Sequence, residues 1–336
     1  MQTEPTVSVI LPVFNGQPYI QAALRSILNQ SIANQIECIV IDDGSTDGTL
    51  GWLQQQSNIT LIQQPHRGLV PALLAGIERA RGPFIARMDA DDISQPQRLA
   101  RQVAYLQNNR FDLVSCLVEF GGDRSTQAGY AHHVDWCNHV RDEASISLNR
   151  FIESPIPHPS VLFRRELLNR LGTYRDGDFP EDYDLWLRWL EAGARIGKVP
   201  EVLLRWNDPP HRLSRNDARY DAASFHTHKA PFLARWLKSK NPHHPDTMIW
   251  GAGRIARRRA AALTDAGIRI TKYIDIDRGK IGHFIDGIEV ISPDDLTGPE
   301  NGFVISYVGS RGAREQICIA LETLGYVAGQ SYLCAA

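Results

Sequence analysis

The chain has 336 residues, more than one domain usually spans and enough to bury a sizeable core, so two domains are expected. Hydrophobic residues make up 43% and charged residues 22%, ordinary for a globular protein and unlike disordered or fibrous chains. A formal charge of −2 offers no bulk attraction for nucleic acid or an acidic membrane, so an acidic ligand has to be held by local chemistry.

The amino terminus, MQTEPTVSVILPV, has no basic segment ahead of a long apolar one, and no run of about 18 apolar residues occurs anywhere. The five cysteines (Cys38, Cys116, Cys137, Cys318, Cys334) are odd in number and lack CxxC spacing, which fits free thiols in a reducing compartment. The expected location is cytoplasmic, with peripheral association at the inner face of the membrane left open.

VSVILPV (7–13) and IECIVI (36–41) are short, β-branched and almost wholly apolar, as strands covered on both faces of a parallel sheet require. PYIQAALRSILNQ between them has helical spacing. TDGTLGWLQQQ then reads as a second helix, ITLIQ as a strand, GLVPALLAGIERA as a third helix despite Pro71, and PFIARM as a strand. This alternation predicts a doubly wound α/β domain with right-handed crossovers, whose ligands gather at the carboxyl ends of the strands. Further on, DLVSCLVEF suggests a strand, 121–150 has weak periodicity, PSVLFRRELLNRLG reads as strand then helix, and PEDYDLWLRWLEAG reads as a helix with Leu185, Trp186, Trp189 and Leu190 on one side. Residues 217–240 look helical, and KSKNPHHPD makes a linker, giving domains 1–240 and 246–336.

Acids mark the strand ends. IVIDDGSTDGT finishes one strand with Asp42 and Asp43, and ARMDADD places Asp89, Asp91 and Asp92 after another. Such carboxylates are costly to bury unless compensated, and a divalent cation, Mg2+ or Mn2+, compensates them while sharing substrate phosphates. On an extended segment Asp89 and Asp91 share a face, and Asp92 points away or caps the following helix. The bland alternative is that Asp42, Asp43 and Asp47, and separately the DAD triplet, are turn and cap residues.

Taken in order, VSVILPVFNGQPYIQAALRSILNQ, IVIDDGSTDGT, ARGPFIARMDADD and EDYDLWLR resemble the successive motifs of family 2 glycosyltransferases, inverting nucleotide-sugar-dependent enzymes of the GT-A fold. The resemblance covers about residues 6 to 215. It implies a GT-A type doubly wound mixed sheet, a nucleotide-sugar donor, UDP-linked, and an acceptor hydroxyl on a glycan or lipid-linked saccharide. It further implies that Asp42 and Asp43 contact the nucleoside, with Pro12 and Phe14 lining the base. Asp89 and Asp91 would handle ribose and metal, Asp91 being the metal ligand, and Asp182 would be the catalytic base. Inversion needs a base opposite the departing diphosphate and a Lewis acid on its oxygens. Glu181 is base or support on the acceptor side, and either acid could simply favour the helix amino terminus.

By the same resemblance Arg67 approaches the nucleotide, His158 lies near the acceptor, and His211 and Ser214 approach diphosphate and metal. An isolated Arg is also an ordinary surface residue, and a histidine among prolines an ordinary structural one. HHVDWCNH (132–139) superficially suggests zinc, but its spacing matches no standard pattern and it reads as a loop.

In the second domain MIWGAGRIARRRAAAL sets Gly251, Gly253 and Ala256 in G-x-G-x-x-A form between strand and helix, with Asp275 and Asp277 where a ribose-binding acid would fall. Only one later strand, GFVISYV, is clear, so a small Rossmann-like α/β module is expected, in which the glycines serve packing or partner binding rather than a nucleotide. Arg257, Arg258 and Arg259 read as a solvated helix face. Two rival functions remain: a nicotinamide-dependent oxidoreductase using these glycines, and a non-catalytic sugar-nucleotide binding or assembly protein.

Overall fold

The computed structural model describes residues 4–210, 212–310 and 312–336. The chain divides into two compact units: residues up to Ile146 with Pro155–Gly177 and Glu181–Asp217, and Ser147–Ser154 with Asp178–Pro180 and Ala218–Ala336. Each is an α/β layer structure.

In the first unit the strands are β1 (Val7–Val13), β2 (Ile36–Asp42), β3 (Thr60–Gln63), β4 (Phe84–Arg87), β5 (Ile93–Ser94), β6 (Leu113–Phe120), β7 (Leu162–Arg164) and β8 (Ile196–Trp206). Interleaved helices are α1 (Ile20–Leu28), α2 (Thr49–Leu53), α3 (Leu69–Arg79), α4 (Arg98–Asn109), α5 (Ala128–His139), α6 (Glu143–Asn149, whose residues from Ser147 on belong to the second unit), α7 (Glu166–Leu171), α8 (Glu181–Glu191) and α9 (Leu213–Asn216). The sheet order is β3-β2-β1-β4-β7-β6-β8-β5. The first four strands are parallel, β7 is antiparallel to both β4 and β6, and β5 is antiparallel to β8.

Every residue of β1 is buried, because helices cover both faces of the sheet, and this is why the strand reads as an unbroken apolar run. One face packs Val7, Val9, Leu11 and Val13 with Leu24 and Ile27 of α1. The other packs Ile10, Ile39 and Ile41 with Val70 and Leu73 of α3 and Trp186 and Trp189 of α8.

Three readings of this unit need correction. Residues 132–139, expected as a loop, lie within α5; its buried positions Ala131, Val134 and Cys137 are spaced helically, but His and Trp between them blur the pattern. Asp92 caps no helix: β5 intervenes and α4 begins at Arg98 with Gln97 at its cap. TDGTLGWLQQQ yields only the short α2.

The second unit contains α10 (Ala222–Lys240), β9 (Asp246–Trp250), α11 (Arg254–Asp265), β10 (Arg269–Ile274), β11 (Phe284–Ile285), β12 (Ile288–Ile291), β13 (Val304–Ser306), α12 (Ala313–Thr323) and β14 (Tyr332–Cys334). Its six-stranded sheet runs β11-β12-β10-β9-β13-β14, parallel except for β11. The sheet is therefore fuller than a single later strand suggests, since β11, β12 and β14 are each four residues or fewer. Helix α10, placed with the first domain by sequence, falls in this unit. Gly251 has φ +118, and a Cβ there would lie 2.8 Å from the Ala256 Cβ, so this glycine permits tight strand–helix packing. Asp275 is taken up internally, accepting from the Ala252 amide at 2.9 Å and pairing with Lys280 Nζ at 3.2 Å. Among the described residues no helix is long and apolar enough to cross a membrane.

Candidate active site

Register sets the site. Val13 of β1 lies opposite Asp42 of β2, and Ile10 opposite Arg87 of β4, so the segments that follow these parallel strands emerge at one edge of the sheet. The loops after β1 and β2 are tied together: the Asn15 amide donates to Ser45 Oγ at 2.9 Å and the Thr46 amide to Asn15 Oδ1 at 2.8 Å. Further along, the Gln17 amide donates to Asp47 Oδ2 at 3.2 Å.

Asp42 is buried; its Oδ2 accepts from the Ser45 amide, while its Oδ1 has no hydrogen-bond partner among the described residues. Asp43 is held by the amides of Arg67 (3.0 Å) and Gly68 (2.8 Å) and by Gln64 Nε2 (2.5 Å). His66 Nδ1 approaches Asp43 Oδ2 at 2.8 Å, and its ring stacks on Phe14 with centroids 3.9 Å apart. The exposed Phe14 and His66 thus form an aromatic wall beside buried carboxylates, a surface suited to a nucleobase. Pro12 is buried in β1 opposite Ile41. Arg67 contributes its amide to Asp43, and its side chain is exposed.

Gly44 closes this loop with φ +78, and a Cβ would lie 2.6 Å from the His66 amide nitrogen. Gly44→Ala should push His66 off Asp43 and weaken the binding of a nucleobase stacked on this wall about tenfold, since a left-handed non-glycine residue alone costs about 1–2 kcal/mol. Titration calorimetry checks this, and unchanged affinity would show that the loop adapts.

Asp89, Asp91 and Asp92 converge through a turn, with the Asp92 amide donating to the Asp89 carbonyl at 3.4 Å, and not through an extended segment as the sequence suggests. Their carboxylate oxygens lie within 4.8 Å of one another. Among the described residues this is the one group of three or more His, Cys, Asp or Glu side chains placed to share an ion, and the zinc-like HHVDWCNH is not such a group. Burial works to raise Asp89, but its ion pair with the buried Arg87 outweighs that and holds it below the usual range. Burial and the Asp89 charge push Asp91 up to about 6. Burial, Asp89 and Asp91 push Asp92 well up; its Oδ1 accepts from the Asn207 amide at 2.8 Å, and its buried Oδ2 has no partner among the described residues. The protein leaves this repulsion only partly neutralised, and an all-oxygen set with an unsatisfied buried oxygen fits a hard divalent cation.

Three groups that sequence reasoning missed frame the cluster. Arg87 lies two residues before the first acid in ARMDADD, and a cation so close to three acids was the signal available. Arg212 lies over the rings of Tyr130 (4.5 Å) and Trp206 (4.6 Å) and senses the charges of Asp89 and Asp92. Asn207, which also donates through Nδ2 to the Asp91 carbonyl at 2.6 Å, was likewise unmarked. His211 lies outside the described residues.

The other side is built by α8. Asp184 is fully buried, pairs with Arg175 and accepts from Arg188 Nε at 2.8 Å; Arg188 Nη2 in turn donates to the Thr173 carbonyl at 2.8 Å. Trp189 Nε1 donates to the Gly172 carbonyl at 3.0 Å. This fixes the start of α8, where Glu181 is buried and Asp182 is half-buried. His158 bridges there, with Nδ1 3.5 Å from Glu181 Oε1 and Nε2 2.7 Å from Tyr174 Oη. Burial pushes Asp182 up to about 6, opposed by His158 and reinforced by Glu181. Both Asp89 and Asp182 sense His158 and Arg87, so the acid turn after β4 and the start of α8 occupy one electrostatic neighbourhood.

A doubly wound sheet with acids at the ends of the two strands that flank β1, and a helix-borne acid in the same electrostatic neighbourhood, is the arrangement of the GT-A class. The family model described as Glycosyl transferase family 2 matches residues 8–172. A Bacillus subtilis (strain 168) protein named as glycosyltransferase EpsE is 31% identical over 240 residues, covering 66% of this chain and 79% of that protein. The fold is shared with S. aureus TarS 1–349 in complex with UDP-GlcNAc (TM-score 0.54, 17% identity, 78% of this chain and 71% of that one). It is also shared with the Pyrobaculum calidifontis mannosyltransferase PcManGT in complex with GDP-Man and Mn2+ (TM-score 0.50, 21% identity, 79% and 74%). The chain belongs to the family 2 glycosyltransferases and is a nucleotide-sugar-dependent glycosyltransferase.

Proposed function

We propose that the chain transfers a sugar, with inversion, from a UDP-linked donor to a hydroxyl of a glycan or lipid-linked saccharide. The carrying observation is that Asp89, ion-paired with Arg87, and Asp182, next to the Glu181 that His158 approaches, are far apart in sequence yet both feel the charges of Arg87 and His158. The nucleoside lies against Phe14 and His66 with Asp42 and Asp43 on its polar edge; the orphaned Asp42 Oδ1 is an acceptor awaiting a donor. Asp89, neutralised by Arg87, accepts from ribose, while Asp91, with Asp92 beside it, would hold the cation. That both nucleotide sugars and Mn2+ are named in complexes of fold relatives supports this arrangement. A divalent cation bound there supplies a Lewis acid for the diphosphate oxygens.

Asp182 takes the proton of the acceptor hydroxyl as that oxygen attacks the anomeric carbon from the face opposite the diphosphate, so the configuration inverts. Its carboxylate suits the task because burial has raised it toward neutrality without removing its charge at pH 7. Glu181, paired with His158, fixes the turn of helix that presents it.

The base works ionised, so the transfer rate with donor and Mn2+ saturating should be flat above about 7 and fall toward tenfold per pH unit below the Asp182 value of about 6. A rate constant down to pH 5 would remove Asp182 as the base.

A further inference from the structure

The second unit holds a thiol pair that sugar transfer does not use. Cys318 lies on α12 and Cys334 on β14, with their sulfurs 3.7 Å apart, in contact but not bonded. Cys334 is buried, whereas Cys318 is half-buried and open to a small reagent. Tyr332, on the same strand as Cys334, donates to Glu322 Oε1 at 2.7 Å and lies beside Cys318, and Arg314 in the first turn of α12 brings positive charge near both sulfurs.

The hydrogen bond from the Cys334 thiol, against burial and with help from the Tyr332 hydroxyl and Arg314, pulls Cys318 down to about 6. The same bond and burial push Cys334 up. An accessible thiolate beside a buried, protonated thiol is the division of labour that thiol–disulfide exchange uses. The other cysteines contrast with it: Cys38 and Cys116 are buried, and burial pushes them up to about 12 and about 11.

We propose that Cys318 and Cys334 are a reversible dithiol–disulfide site that fastens the last strand of the second sheet to α12. The Cys318 thiolate attacks one sulfur of a low-molecular-weight disulfide, forming a mixed disulfide and expelling one small thiolate. Cys334 then gives up its proton to solvent and attacks the Cys318 sulfur, and the second small thiolate leaves. The two cysteines lose two electrons and two protons, and the small disulfide gains them as two thiols. The sulfurs, 3.7 Å apart in the dithiol, close to a bond length of about 2.05 Å.

The full chain, equilibrated in glutathione buffers from reduced to strongly oxidised, quenched in acid, alkylated and digested, tests this. The expected product is a peptide pair joined through Cys318 and Cys334 and lacking two hydrogens, restored by dithiothreitol. The oxidised protein should melt about 5 °C above the reduced one, because the bridge closes a loop in the unfolded chain. Cys318→Ser and Cys334→Ser should each abolish bridge and shift while melting like the reduced protein. Oxidation of neither cysteine in the most oxidising buffer, or a glutathione adduct on Cys318 that Cys334 never resolves, would overturn the proposal; both readings come from the unmutated chain.

Discussion

Asp182→Asn should lower the turnover of sugar transfer about 10³-fold while leaving donor affinity within about twofold, because a positioned general base contributes on the order of 10²–10⁴ in rate and the proposed mechanism gives Asp182 that role on the acceptor side. The change is nearly isosteric. Asp182 Oδ1 accepts from the Tyr183 amide at 2.7 Å, a bond that the Asn carbonyl oxygen can also accept, so α8 should keep its start. The buried Asp184, with Arg175 and Arg188, anchors the helix independently. A variant that binds donor and loses turnover therefore reports on proton removal, whereas a loss of donor affinity with turnover retained would assign Asp182 to the donor side. Radiolabelled sugar transfer and calorimetry on the same preparation separate the two.

Arg98→Met should be the most damaging substitution away from the chemistry, costing about 3 kcal/mol and lowering the melting temperature of the first unit by about 10 °C. The Arg98 side chain is fully buried and donates to the Arg87 carbonyl (2.9 Å) and to the Pro159 carbonyl (3.0 Å). It thus ties the end of β4, just before the acid turn, to the 158–160 turn that carries His158. Met preserves much of the volume but leaves two buried carbonyls unpaired, and each unmade bond costs the desolvation of its group. Arg98→Lys should recover only part of the loss, since an ammonium lacks the planar fork that spans both oxygens. Equal melting of the Met variant and the parent would show the role to be filling space.

The parallel half of the first sheet was legible because strands buried on both faces must be continuously apolar, as VSVILPV and IECIVI are. The acids were legible for the complementary reason: carboxylates at the ends of such runs need a purpose. What the linear pattern could not carry was anything decided by distant partners. Asp92 looked like a helix cap because caps are local, but it is buried against the amide of Asn207. Arg87 stands beside the acids in sequence, but Arg98 looks like one more basic residue of a polar helix start, and only the fold shows the two carbonyls it ties together. Helix α5 was hidden by histidines and tryptophan on its flanks, and β11 and β14 by being two and three residues long. In the second unit the G-x-G-x-x-A pattern was visible, but the commitment of Asp275 to Ala252 and Lys280 was not.

The central claim is that the aspartates of β2, of the turn after β4 and of α8 surround one place where a diphosphate and a divalent cation meet. A thermal-shift screen of nucleotide sugars with and without Mn2+ tests it most directly. Occupancy at about 100 times the dissociation constant adds about 2.7 kcal/mol, a shift of several degrees. The account predicts that UDP-linked sugars raise the melting temperature only when Mn2+ is present. Stabilisation by a nicotinamide dinucleotide alone, or by UDP-sugars to the same extent in chelator, would contradict it.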